Sequence, residues 1–371
     1  MITLRMDGTM KVKINGKVIE TRAVWMDEEY NVEMIDQRLI PWKVEIFKSD
    51  NYQKTAWAIK EMVVRGAPSI GVTAGYAFVQ AVKQSKDSKD LISNVEKKMK
   101  EIESTRPTAV NLKNALEFLW SEFLRLVKEN IAFDEIVAKL REKADFLSDS
   151  EVEANKKIGE FGEKLIESGY RILTHCNAGA LAAVDIGTTL APIRFAHKNG
   201  KDIFVYVDET RPRLQGARLT AWELANEGIK HAIIADNAAG FYMWRGEVDM
   251  VIVGADRITM NGDVANKIGT YKLALAAKEN DVPFYVAAPL TTFDRKLRDG
   301  RDIPIEERSE EEVLYVRGSL DNEELVKVRI APIESGALNP AFDVTPFKYI
   351  TGIITEKGIL RSVDDIIRVL G

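Results

Sequence analysis

Five short apolar runs recur through the second half of this chain, and their spacing limits the fold more than any other feature. RILTHC ends at Cys176; DIFVYVDE, HAIIADN, DMVIVGAD and PFYVAAP follow at intervals long enough for a helix between each pair. Helical patterns fill those intervals, among them TLAPIRFAHK, ARLTAWELANEG and KIGTYKLALAAKEN. Strands that alternate with helices pair in parallel through right-handed crossovers, which cover both faces of one sheet. The pattern predicts a Rossmann-like, doubly wound parallel-sheet domain over residues 169–371. In such sheets ligands bind beyond the carboxyl ends of the strands.

The first half follows other rules. Its opening fifty residues alternate polar and apolar positions in MKVKING, KVIETRAVWM and VEMIDQRLI, with Asn15-Gly16 as a turn signal. That reads as a small antiparallel hairpin or meander. From Tyr52 onward the apolar residues fall at helical spacing, in TAWAIKEMVV, IGVTAGYAFVQAVKQ, LISNVEKKMKEI and AVNLKNALEFLWSEFLRLV. A long charged helix follows, from FDEIVAKL through NKKIGEFGEKLI. The chain is therefore expected to be α/β in two domains. Residues 1–168 hold the meander and a mostly helical domain, and 169–371 hold the parallel sheet.

Composition excludes several classes of function. A net charge of -5 over 371 residues leaves no basic footprint for nucleic acid. The start is charged, without the apolar stretch of a signal peptide, and no run is long enough to span a membrane. A single cysteine rules out an internal disulfide and fits the reducing cytoplasm. No strand is followed by G-x-G-x-x-G, and G-x-x-x-x-G-K-[ST] is absent, which argues against a dinucleotide or P-loop nucleotide. Three scattered histidines with one thiol do not make a metal cage. No cofactor is expected.

The chemistry gathers where the runs end. The first delivers Cys176 and Asn177, the second Asp208 and, in RPRLQGAR, Gln215. The third delivers Asp236, and the fourth Asp256, followed by Asn266 and Lys267. An aspartate after a strand is most often a helix cap or turn former, which suits Asp208 and Asp236. Asp256 differs, because a long polar loop follows it. Lys267 reads as the start of the helix KIGTYKLALAAKEN, where a cation opposes the helix dipole unless an anion sits between them. His175 precedes Cys176 and so faces the other way on an extended strand, which suits a buried structural histidine.

Seven stretches together resemble the methylthioribose-1-phosphate isomerase family: MVVRGAPSIGVTAGYAF, STRPTAVNL, LTHCNAGALA, VDETRPRLQGARLTAWEL, VGADRITMNGDVANKIGTYKLA, GALNPAFDVTP and ITEKG. The likeness runs from about Asp36 to the C-terminus. It implies a helical first domain, a Rossmann-like second domain and a homodimer formed through the latter. It also implies an aldose–ketose isomerase acting on a sugar phosphate, with Cys176 steadying the transition state and Asp256 donating the proton. Arg65, Gly66, Ala67, Arg106, Gln215, Asn266 and Lys267 take the substrate-binding positions of the family's motifs. Relatives in the wider superfamily suggest two alternatives, a ribose-1,5-bisphosphate isomerase and a non-catalytic subunit of a translation-factor exchange assembly.

The implied reaction explains these residue types. A phosphate on the C1 oxygen blocks simple opening to an aldehyde, so an acid must protonate the ring oxygen as the C1–O bond breaks. A carboxyl does this near neutral pH when burial raises its pKa, and VIVGAD suggests apolar surroundings for Asp256. Hydrogen must then move from C2 to C1. Cys176 could serve as a thiolate base, activated by a following helix N-terminus, or could steady a hydride shift. Arginine and lysine supply the cations that a phosphate requires.

Overall fold

The computed structural model describes residues 8–14, 17–106, 109–320 and 324–371, so the Asn15-Gly16 turn lies outside the described residues. The chain divides into two compact units. The first comprises Met1–Leu39, Val44–Lys156 and Gly179–Gly187; the second comprises Ile40–Lys43, Lys157–Ala178 and Thr188–Gly371.

In the first unit, β1 (Met10–Ile14) and β2 (Lys17–Thr21) form an antiparallel hairpin. A second antiparallel set, β3 (Val24–Met26), β4 (Val32–Ile35) and β5 (Ile46–Ser49), is the meander that the alternating pattern predicts. Helices α1 (Tyr52–Lys60), α2 (Ala67–Lys83), α3 (Leu91–Glu103) and α4 (Val110–Lys128) follow. The long α5 (Phe133–Glu163) starts in this unit and ends in the second. Helix α2 is buried from Pro68 to Val82, because its apolar residues leave no polar stripe to face water. Gly71 and Gly75, one turn apart, let α4 approach it: a Cβ on Gly71 would meet the Asn111 carbonyl oxygen at 3.0 Å.

The segment Gly179–Gly187 joins this unit from far along the chain. Gln37 Nε2 donates to the Leu181 carbonyl at 2.8 Å, the Ser69 N–H donates to Ala182, and Val184 enters the apolar core.

The second unit is built on seven strands. All five apolar runs form strands: β6 (Arg171–Thr174), β7 (Phe204–Asp208), β8 (His231–Ile234), β9 (Met250–Val253) and β12 (Phe284–Ala287). Two further strands, β16 (Gly352–Thr355) and β17 (Gly358–Leu360), complete the order β17-β16-β12-β9-β6-β7-β8, in which only β17 is antiparallel. The strands progress outward from β6 through β7 to β8, and in the other direction from β9 through β12 to β16. Their sequence order therefore reverses between β6 and β9.

Alternation along the strands sorts two cores. Leu173, Val251, Val253, Phe284, Val286 and Ile353 pack against α8 (Ala239–Trp244), α9 (Thr270–Glu279) and α11 (Val363–Leu370). Ile172, Val205, Val207, Ile252, Ala287 and Ile354 pack with the end of α5, α6 (Leu190–Lys198) and α7 (Ala221–Glu227). Side chains of period two thus bury both faces, as near-continuous apolar strands require.

A small antiparallel sheet of β10 (Arg257–Ile258), β11 (Val264–Lys267) and β15 (Phe342–Thr345) follows the exit of β9. Beyond these lie α10 (Glu311–Leu314) and the hairpin of β13 (Tyr315–Ser319) with β14 (Leu325–Arg329), besides short 3-10 and π-helical turns. Among the described residues, no helix is long and apolar enough to cross a membrane.

Candidate active site

The carboxyl end of β6 carries His175, Cys176 and Asn177, all buried. Cys176 takes φ +67°, a left-handed conformation uncommon for residues other than glycine. Its backbone is held on both sides. The Cys176 N–H donates to Thr210 Oγ1 at 2.8 Å, and its carbonyl accepts from Thr220 Oγ1 at 2.6 Å. Asn177 Nδ2 donates to Glu223 Oε1 at 2.9 Å. No helix follows the cysteine directly: α6 begins at Leu190, and the N–H groups of Thr188 and Thr189 are turned onto the Ala178 carbonyl, each at 3.0 Å. The expected activation of Cys176 by a following helix N-terminus is corrected accordingly.

Thr210 is itself strained at φ +65° and braced by three hydrogen bonds. Its N–H donates to Asp236 Oδ1 at 2.7 Å, and its Oγ1 donates to the Asp208 carbonyl at 3.0 Å while accepting from Cys176. Asp236 Oδ2 accepts from the Arg211 N–H at 2.7 Å. Asp236 thus braces the Thr210–Arg211 segment after β7 rather than a turn of its own. Asp208 is fully buried at the end of β7, and its Oδ2 lies 2.8 Å from His175 Nδ1. The other ring nitrogen, Nε2, donates to the Ile268 carbonyl at 2.9 Å. Burial opposes a charge on His175, but the Asp208 hydrogen bond and the charges of Asp208 and Asp236 outweigh it and raise the pKa above 6.5. One atom from each of His175, Asp208 and Asp236 falls within 4.8 Å of the others, the reach of a metal ion. Both ring nitrogens and both Asp236 oxygens are, however, engaged by protein groups.

Strand β9 is the parallel neighbour of β6 and leads into Gly254 and Asp256. A Cβ on Gly254 would stand 2.8 Å from the Ala178 Cβ, so glycine lets the exits of β6 and β9 lie against each other. Asp256 is half-buried, less enclosed than the apolar run before it suggests, and its N–H donates to the Ala265 carbonyl at 2.9 Å. The crevice at this edge lies where the strand order reverses, the place where open α/β sheets bind ligands. Gln215, just before the π-helical turn Gly216–Thr220, is 5% exposed, and its Oε1 has no hydrogen-bond partner among the described residues. A buried amide oxygen left so is costly unless a ligand or water completes it.

Asn266 and Lys267 require a correction. They do not open a helix; they end β11, paired with Asp343 and Phe342 of β15. The helix begins at Thr270, behind Gly269 at φ +105°. Asp343 meets its first turn, accepting from the N–H groups of Gly269 at 2.7 Å and Tyr271 at 3.1 Å. The anion that the helix dipole favours is a protein carboxylate. Lys267 is buried, donates from Nζ to the Ala341 carbonyl at 2.7 Å, and lies 4.8 Å from the Phe342 ring centre. Asn266 Nδ2 donates to Thr270 Oγ1 at 2.9 Å.

Cys176, Gln215, Asp256, Asn266 and Lys267 belong to the second unit; Arg65, Gly66, Ala67 and Arg106 belong to the first. Arg65 and Arg106 are half-buried, and Gly66, at φ +93°, caps α2. The structure adds Thr220, Ile268 and Asp343, which sequence reasoning passed over, and gives a part to Thr210, which stands at the end of the second run without an assigned role. Only Asp343, in the motif GALNPAFDVTP, carried a signal that could have been read.

Residues 63–362 match the model of the Initiation factor 2 subunit family. A methylthioribose-1-phosphate isomerase of Acetivibrio thermocellus is 51% identical over 331 residues, covering 89% of this chain and 94% of the relative. One of Gluconobacter oxydans is 48% identical over 359 residues, covering 94% and 95%. Among crystal structures, 5-methylthioribose 1-phosphate isomerase of Pyrococcus horikoshii OT3 is similar with a TM-score of 0.83 and 44% identity, covering 94% of this chain and 95% of that one. The translation initiation factor eIF-2B subunit delta of A. fulgidus is similar with a TM-score of 0.79 and 39% identity, covering 94% and 99%.

Proposed function

This chain belongs to the initiation factor 2 subunit family, and from that premise we propose that it is an aldose–ketose isomerase converting 5-methylthioribose 1-phosphate to 5-methylthioribulose 1-phosphate, a step of methionine salvage. The observation that carries the reading is identity near one half, over nearly the whole length, with relatives named for this activity. The order of the parallel strands supports a Rossmann-like reading of the second domain, with 1–168 and 169–371 as the two domains.

Asp256 protonates the ring oxygen as the C1–O bond opens, hydrogen passes from C2 to C1 with Cys176 steadying the intermediate, and the C2 hydroxyl releases its proton as the C2 carbonyl forms, balancing the one Asp256 gave. Their place on neighbouring strand exits at the reversal of strand order supports these roles. Arg65, Gly66, Ala67, Arg106, Gln215, Asn266 and Lys267 bind the substrate, and the unpartnered Gln215 Oε1 supports that assignment most directly. No hydride leaves the substrate, so the reaction balances without a redox cofactor. The enzyme works as a cytoplasmic homodimer without metal or nucleotide.

The deciding experiment offers purified protein 5-methylthioribose 1-phosphate and, separately, ribose 1,5-bisphosphate, each with and without a chelator. Turnover of the first, unchanged by the chelator, is expected. A large preference in kcat/KM for the bisphosphate would overturn the substrate. Loss with chelator and recovery with a divalent cation would overturn the cofactor-free mechanism.

A further inference from the structure

His175 has no part in the reaction scheme above, yet its ring joins two of the elements that scheme depends on. The side chain is 1% exposed and that of Asp208 is fully buried. Nε2, 2.9 Å from Ile268 O, must carry a proton, since a carbonyl oxygen only accepts. Nδ1 shares the second proton with Asp208 Oδ2 across 2.8 Å. Ile268 follows Lys267 directly. The next residue, Gly269, presses on the ring, where an added Cβ would lie 3.0 Å from Cε1. On the other side a hydrogen-bonded circuit closes. The Asp208 carbonyl accepts from Thr210 Oγ1, which accepts from the N–H of Cys176, the residue bonded to His175.

We propose that His175 is a positioning residue for the isomerisation, held with both ring nitrogens protonated so that it pins the strand exit bearing Cys176 to the turn that follows Lys267. This rests on the roles given above to those two residues. Burial raises the pKa of Asp208 and opposes a charged pair, while the carboxylates around the ring favour its charged form. Asp208 reaches it from β7, and Asp236, 4.0 Å from Nδ1, from beyond β8. Asp343 of β15 faces it as a third carboxylate, and Lys272 of α9 stands beside Asp208 as the opposing cation.

The test compares His175→Asn, Asp208→Asn and Asp208→Ala in the full-length enzyme. Asparagine at 175 keeps a donor toward Asp208 but does not reach Ile268. It is expected to lower kcat about tenfold or more and to raise KM several-fold in protein with an unchanged circular dichroism spectrum. Asparagine at 208 can donate to Nδ1 while Nε2 still donates to Ile268, so both links survive with a neutral ring; alanine at 208 breaks one. D208N should therefore retain at least tenfold more kcat/KM than D208A. Nitrogen-15 spectra of histidine-labelled protein should show two protonated ring nitrogens on one histidine at pH 7 in the wild type, and one protonated nitrogen on it in D208N. Folded H175N with wild-type kcat and KM would overturn the proposal. If H175N does not fold, equal activity of D208N and D208A would overturn it instead. A neutral His175 ring in the wild type would also sink it. Wild-type protein inert toward the sugar phosphate would overturn the functional reading and with it the catalytic part of this one, whereas the other outcomes strike this proposal alone.

Discussion

Single residues carry the sharpest expectations. Cys176→Ser and Asp256→Asn should each lower kcat about a hundredfold or more, as removal of an acid–base group does, with KM nearly unchanged. Steady-state kinetics on the sugar phosphate decides it, and near-normal kcat in either variant would remove that residue from the chemistry. Lys267 behaves differently, because it is buried and bonded to the Ala341 carbonyl. Lys267→Ala should weaken product binding in a calorimetric titration and also destabilise the free protein by about 1.5–3 kcal/mol, the worth of one hydrogen bond from a charged donor, although the Ala341 carbonyl keeps the Ile268 N–H. A cation at an exposed helix start would have cost the free protein nothing when removed, so thermal unfolding separates the two placements. His175 adds a pH signature. Its pKa lies above 6.5 in the fold, so the stability it contributes is fully present below pH 6.5 and fades as pH rises through the higher folded value. Melting temperatures across that range should therefore fall more steeply for the wild type than for H175N.

Elements were legible where their cause was local. The five apolar runs became strands because β-branched residues bounded by polar ones suit a sheet buried on both faces. Strand exits could be read as well, which is why Cys176 and Asp256 could be placed from sequence at one edge. Val264–Lys267 could not, because only Val264 and Ala265 pair nearby, with the two-residue β10, while Asn266 and Lys267 pair with β15 alone, more than seventy residues further on. Seen locally, its polar final residues looked like the approach to a helix. Thr210, at the end of the second run, carried no assigned role for a similar reason: its hydroxyl matters only because Cys176 arrives from another strand. Gly269 belongs to this scale too. Gly269→Ala places a side chain at φ +105° and 3.0 Å from the His175 ring, so it should destabilise by several kcal/mol. Chemical denaturation would measure that, and a loss below 0.5 kcal/mol, roughly the size of an ordinary surface change, would show that the turn can move aside.

At the scale of the whole molecule, chain order and spatial order part company. The first unit includes Gly179–Gly187, which supplies carbonyls to Gln37 and Ser69 and places Val184 in its core. A fragment ending at residue 168 should therefore be less stable than the same unit within the full chain, with a lower denaturation midpoint for its helical signal; an equal midpoint would show the insertion to be dispensable. The proposed homodimer is tested by light scattering, where twice the 41.7 kDa of one chain is expected. The left-handed residues also bear on engineering. Cys176, Thr210 and Leu214 adopt positive φ at 67°, 65° and 59° within one stretch of the sheet edge. An engineer seeking only a higher melting temperature would write glycine at all three, relieving about 1–3 kcal/mol of backbone strain at each. Two of those changes delete the thiol and the hydroxyl that holds its backbone. Thermostability and turnover therefore compete for the same few positions, and a screen that selects on heat alone is expected to enrich inactive enzyme there first.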